Sequence, residues 1–91
     1  MKDVLVITGG TSGIGLILAQ HFHLKYRLVV VSRDPEKALR SLHGLSISEY
    51  ISGDVYEDAD RICAEIHEKV GEVWGLINCA GVLGEVAPFS V

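Results

Sequence analysis

The sequence has little of what usually announces a metal centre, a disulfide scaffold or a nucleic-acid face. It holds two cysteines, Cys63 and Cys79. Their spacing matches no metal or redox motif, so they read as reduced thiols, with a disulfide between them as the lesser alternative. Eight basic residues stand against twelve acidic ones, for a net charge of −4, and they form no run. That excludes a basic patch for nucleic acid or an anionic membrane. Long apolar runs are absent too. Met1-Lys2-Asp3 leads straight into four apolar residues, too short a stretch for a signal core or a membrane span. The expectation is a cytoplasmic protein that partners neither nucleic acid nor membrane and holds no metal.

What is present suits one soluble domain: 91 residues, 48% apolar and 22% charged. A chain of this size buries only about 60–65% of its unfolded surface, so its stability is modest unless a ligand or partner adds to it. No repeat, low-complexity segment or linker interrupts it.

Short apolar runs alternate with amphipathic stretches. Val4 to Ile7 is apolar throughout, as expected for a strand covered on both faces. A helix is expected from Ser12 or Gly13, with Ile14, Ile17, Leu18 and Phe22 as its stripe. Leu28 to Val31 reads as a second buried strand. Asp34-Pro35-Glu36 is a helix start, with Asp as N-cap and Pro at the first helical position; that helix ends near Gly44. Tyr50 and Ile51 fall in a short third strand. A third helix is expected from Tyr56 to Val70, with Ala59, Ile62, Cys63, Ile66 and Val70 inside, and Gly71 ends it. Val73 to Ile77 is the fourth strand. Strands alternating with helices predict an α/β fold, a Rossmann-type parallel sheet with helices on both faces. Right-handed crossovers favour the strand order 3-2-1-4, which puts the reversal point at the end of strand 1.

At that point stands TGGTSGIG, residues 8 to 15. Bare N–H groups at a helix start attract anions, and a phosphate reaches them only where no side chain intervenes. Gly9 permits the turn out of the strand; Gly13 and Gly15 allow close approach of a pyrophosphate and of the helix to the sheet. Thr8, Thr11 and Ser12 add hydroxyl donors. The triphosphate-binding pattern G-x4-G-K-[ST] fails, because Leu16 and Ile17 follow Gly15. A glycine turn that binds nothing is the bland reading; the position after a strand and before a helix favours a dinucleotide.

Which dinucleotide depends on the end of strand 2, where an acid would hold the ribose of NAD and an Arg the 2′-phosphate of NADP. The strand ends VVVSRD, with Ser32 in the acid position and Arg33 after it. Arg presents a planar fork suited to phosphate, so NADP(H) is favoured over NAD(H). In the rival reading Asp34 holds the ribose, and in the bland one Arg33 is a solvated charge and Asp34 only a cap.

These residues together resemble the short-chain dehydrogenases/reductases. TGGTSGIG is similar to that family's T-G-x3-G-x-G loop. Asp54-Val55 resembles the Asp-Val pair whose carboxylate holds the adenine amino group, and Asn78-Cys79-Ala80-Gly81 resembles its N-N-A-G, with Cys79 in place of the second Asn. The resemblance covers essentially the whole chain. It implies that Gly9, Thr11, Ser12, Gly13, Ile14, Gly15, Ser32, Arg33, Asp54, Val55, Asn78, Ala80 and Gly81 line the cofactor site. It also implies hydride transfer between NADP(H) and a carbonyl or alcohol substrate. The family's catalytic Ser, Tyr and Lys lie beyond strand 4. Here Tyr26, Tyr50 and Tyr56 are followed four residues on by Val30, Asp54 and Asp60, so no Tyr-x3-Lys occurs and no catalytic residue is assigned.

Strand 4 would then be an uncharged edge, a template for pairing with another strand. Self-association through it is expected, and a non-catalytic nucleotide-binding or interaction module is the alternative function. A methyltransferase of similar strand order is disfavoured by the Asp-Val and N-x-A-G pairs. Among smaller signals, Cys63 and His67 share a helix face but read as structural. His21 and His23 read as surface residues, Trp74 as edge packing, and Glu65 with Lys69 as an exposed helix pair.

Overall fold

The computed structural model describes residues 2–11 and 13–79. Ser12, Ala80, Gly81 and the segment LGEVAPFSV lie outside the described residues. The elements run β1 (Val4–Thr8), α1 (Gly13–Phe22), β2 (Arg27–Ser32), α2 (Pro35–Ser41), β3 (Glu49–Ser52), α3 (Ala59–Val70) and β4 (Gly75–Asn78). All pairings are parallel and the sheet order is β3-β2-β1-β4, as the alternation predicts.

The two central strands are buried on both faces because alternate residues feed two cores. Val4, Val6, Val29, Val31 and Ile51 face α3, where Ile62 and Ile66 meet them one helical turn apart. Leu5, Ile7, Leu28 and Val30 face α1 and α2, meeting Ala19, Ala38 and Leu42. Every side chain from Leu28 to Val31 is fully buried.

Helix α1 packs differently from its expected stripe. Its buried residues are Gly15 and Ala19, with Leu16, Leu18 and Phe22 packed partly beside them. Ile14 and Ile17 are 71% and 63% exposed. The small pair lets the helix axis approach the sheet. Positions one before and two after Gly15 are rotated about 100° and 200° from that contact, so they point away.

Helix α2 starts as expected, with Asp34 Oδ1 accepting from the N–H groups of Glu36 at 3.1 Å and Lys37 at 3.2 Å. Helix α3 begins three residues later than the expected Tyr56. Asp54 Oδ1 accepts the Tyr56 N–H at 2.8 Å, and Asp58 Oδ2 accepts the Asp54 N–H at 3.0 Å. These carboxylates give the backbone a local turn in place of helix. Cys63 and Ala59, expected on the inner face, are exposed. They border a cavity of about 640 Å³ between α3 and β4 instead.

Strand β4 begins at Gly75, two residues later than expected, although the Trp74 N–H already donates to Val4 O at 2.8 Å. Trp74 stacks on Tyr26 with ring centroids 5.2 Å apart, at the strand starts and so at the far end from the glycine loop. Lys69 lies 4.0 Å from Glu49, and Glu65 pairs with Arg61 at 3.4 Å, so the expected Glu65–Lys69 pair is replaced by two others. His21 is exposed, whereas His23 is half-buried and accepts the Ser46 N–H at 2.9 Å.

Candidate functional site

The strand ends are tied together beyond the ladder itself. Gly9 N donates to Val31 O at 2.8 Å, Gly53 N to Ser32 O at 2.9 Å, and Cys79 N to Thr8 O at 3.0 Å. The segments leaving β1, β2, β3 and β4 therefore emerge along one edge of the sheet. That edge gathers Gly9, Thr11, Gly13, Ile14 and Gly15 from the first loop and helix, Ser32 and Arg33 from the second strand end, Asp54 and Val55 from the third, and Asn78 from the fourth.

The glycine loop is built for close approach. Gly9 has φ +70°, a left-handed conformation that costs a residue with a Cβ. A Cβ on Gly15 would stand 2.1 Å from the Gly9 carbonyl oxygen and 3.1 Å from Gly10 Cα, so only glycine lets α1 rest against the loop. The first turn of α1 carries no acid, which leaves its N-terminal dipole uncancelled. Thr11 is buried. Gly10 also matters, although the sequence pattern passes over it: a Cβ there would meet Val30 Cγ1 at 2.9 Å.

On the β2–β3 side the polar groups form a chain. Ser32 Oγ lies 2.6 Å from Tyr50 OH, and Tyr50 OH lies 3.1 Å from Ser32 O. Arg33 Nη1 stands 3.8 Å from Asp54 Oδ2, with the Arg33 side chain 78% exposed. An ion pair this open is worth at most about 1 kcal/mol. Asp58 stands 3.4 Å from Arg61, whose Nη2 donates to Ser52 O at 2.9 Å. The Asp54 N–H holds the Asp58 carboxyl below its ordinary value against an opposing effect of burial, and the Arg61 cation adds to the lowering. Asp34 stays on its helix cap, which favours the capping reading over the ribose one.

On the β4 side Thr8 Oγ1 donates to Asn78 Oδ1 at 2.6 Å. Burial raises the Cys79 thiol above its ordinary value. Thr8, Val55 and Asn78 line the 640 Å³ cavity, whose lining is mostly apolar and includes Val6, Val31, Ile62, Ile66 and Leu76, with His67 and Glu72 among its polar members. Among the described residues no three His, Cys, Asp or Glu side chains gather as a metal site, and no helix is long and apolar enough to cross a membrane. Both cysteines are free thiols.

Tyr50 is the site residue that sequence reading passed over. Its signal was available in the register: Ser52 pairs with Ser32, and Tyr50, two residues earlier, shares that face of the sheet.

A family model described as short chain dehydrogenase matches residues 3–91. The chain is 35% identical, over 93% of its length, to polyketide synthase PksL of Bacillus subtilis, of which it covers 2%. It is 31% identical, over 87% of its length, to an NADP-dependent (R)-specific alcohol dehydrogenase of Lentilactobacillus kefiri, of which it covers 34%. Among solved structures, a variant of actinorhodin polyketide ketoreductase with NADPH superposes with a TM-score of 0.78 at 29% identity, over 89% of this chain and 34% of that one. The chain thus spans about a third of the alcohol dehydrogenase and of the ketoreductase chain.

Proposed function

The chain belongs to the short chain dehydrogenase family, and on that premise we propose that residues 1–91 form its N-terminal cofactor-binding portion, holding NADP(H) in preference to NAD(H). The whole protein is then an oxidoreductase that moves hydride between NADP(H) and a carbonyl or alcohol substrate. The observation that carries the reading is the Gly15 cradle: Gly9, Gly10 and Gly15 bring bare backbone together at an acid-free helix N-terminus, where the strand order reverses.

Bound there, a nicotinamide dinucleotide supplies or accepts the hydride. This chain's residues hold and orient it. Gly9, Gly13, Ile14 and Gly15 offer backbone to the pyrophosphate, and Thr11 and Ser12 offer hydroxyls. Arg33 and Ser32 take the 2′-phosphate. Asp54 and Val55 receive the adenine, with Asn78, Ala80 and Gly81 along the remaining wall. No Tyr-x3-Lys occurs in these 91 residues. We therefore assign them no catalytic residue and place the acid–base chemistry in the rest of the family fold.

Calorimetric titration of the chain with NADPH and NADH tests this. NADPH binds more tightly, and Arg33→Asp weakens NADPH by about tenfold or more while sparing NADH, as loss of a charge-assisted contact requires. Equal losses overturn the NADP preference; binding of neither overturns the cofactor reading.

The alternative, a non-catalytic interaction module, is not favoured by the family match. Self-association is proposed as an addition to the enzyme reading. Trp74 and Leu76 are 62% and 63% exposed along β4, an edge strand among the described residues. Size-exclusion chromatography at rising concentration should then give a shift toward dimer, and a constant monomer speaks against it. A cytoplasmic location is proposed from the sequence, whose two cysteines match no disulfide framework.

A further inference from the structure

Tyr50 and Ser32 form a hydroxyl pair at the edge where the adenosine end of the cofactor is placed. The phenol ring is half-buried and packs against the core cluster that includes Val30, Ala38 and Leu42. Its oxygen lies 2.6 Å from Ser32 Oγ and 3.1 Å from Ser32 O. A phenol has one proton and two places here to put it. Donated to Ser32 O, it leaves the Tyr50 oxygen to accept the Ser32 hydroxyl proton, and Ser32 then presents lone pairs outward. Donated to Ser32 Oγ, it frees the Ser32 proton to point outward, and Ser32 becomes a donor.

The two arrangements suit different ligands. A ribose 2′-hydroxyl can donate or accept, whereas a 2′-phosphate at neutral pH mainly accepts. The second arrangement therefore suits the phosphate. It also polarises the Ser32 hydroxyl, because a hydroxyl that accepts one hydrogen bond donates a stronger one.

We propose that Tyr50 is a positioning residue for cofactor choice, acting through Ser32 to present a hydroxyl donor to an adenosine 2′-phosphate beside Arg33. This deepens the NADP(H) reading and rests on it. Arg33 supplies charge from an exposed side chain, 78% accessible and loosely held. Ser32 is half-buried and its hydroxyl is held by Tyr50, so it adds direction to that charge.

The test is a double-mutant cycle on binding, read with adenosine 2′,5′-bisphosphate and adenosine 5′-monophosphate as probes. Tyr50→Phe keeps the ring that packs in the core and removes only the hydroxyl. It should lower the preference for the bisphosphate by about three- to tenfold, the worth of one hydrogen bond. In a Ser32→Ala background the same change should leave the preference where Ser32→Ala alone put it. Two results overturn the role of Tyr50 while leaving the NADP(H) reading intact: an unchanged preference in Tyr50→Phe, or an equal drop in both backgrounds. A wild-type chain with no preference for the bisphosphate overturns the reading beneath it, and the proposal with it.

Discussion

On one side of β1, strands β2 and β3 bring their own polar network: the Ser32–Tyr50 hydroxyls, the Arg33–Asp54 pair and the Asp58–Arg61 pair. On the other side, β4 brings the Thr8–Asn78 hydrogen bond and a 640 Å³ largely apolar cavity between itself and α3. Ile51 on β3 is 2% exposed, whereas Leu76 on β4 is 63% exposed. The difference follows the division of labour proposed for the cofactor. On that proposal, the adenosine half of the site is built from groups on β2, β3 and the loop that follows β3.

Truncation on the two sides should break the symmetry most visibly. Ile51→Ala removes a fully packed side chain and should cost about 2–5 kcal/mol in urea denaturation, while Leu76→Ala, in samples dilute enough to stay monomeric, should stay within about 0.5 kcal/mol. A large loss at Leu76 would mean that β4 is covered in solution, and the two sides would then be alike.

Gly15→Ala comes next. The added carbon would stand 2.1 Å from the Gly9 carbonyl oxygen, a backbone atom that yields only if the loop moves. The expected cost is about 1–3 kcal/mol, together with loss of NADPH binding in the same sample. Full binding after the substitution would separate the loop from the cofactor.

A smaller effect sharpens the β2 side. Asp34→Ala removes the α2 cap and should cost about 1 kcal/mol of stability. It should leave the NADPH-to-NADH affinity ratio unchanged, because Asp34 Oδ1 accepts from two backbone N–H groups of α2. A selective loss of NADH binding would return the ribose role to Asp34.

The smallest effect is a pH dependence. The folded chain holds Asp58 below its ordinary value of 3.8, through the Asp54 N–H first and Arg61 after it. A depressed carboxyl contributes stability that is present above the unfolded value and is lost as pH falls through the folded one. Asp58→Asn should therefore lower the melting temperature slightly at neutral pH and leave the most acidic points almost unchanged, so that the acid limb of a thermal-melting series below about pH 4 flattens. An unaltered acid limb would detach Asp58 from the network.

The strand order, the parallel sheet and the gathering of the glycine loop with Asp54 and Asn78 were legible because they rest on periodicity and on residues with one conformational use. Val4 to Ile7 can hardly be anything but a covered strand, and Asp34-Pro35 can hardly avoid capping a helix. Less legible was whatever depends on how close two elements come. The stripe of α1 is half legible: Leu18 and Phe22 pack as their spacing predicts, but Ile14 and Ile17 do not, because the helix rests on Gly15 and Ala19 and small residues carry no hydrophobic signal. The start of α3 was misplaced because Asp54 and Asp58 compete with helix for the same backbone N–H groups. Cys63 looked internal by spacing alone; it borders the cavity because the core between α3 and the sheet is centred on Ile62 and Ile66. Tyr50 was passed over because its partner lies on the neighbouring strand, and only the register brings them together.

The most direct test of the central claim is a nitrogen-15 amide spectrum of the chain titrated with adenosine 2′,5′-bisphosphate. The account predicts saturable shifts at Gly9, Gly13, Gly15, Arg33 and Asp54, with Trp74 and the far end of the sheet unmoved. Shifts confined to the β4–α3 cavity, or none at ligand concentrations in the millimolar range where even weak complexes form, would contradict it.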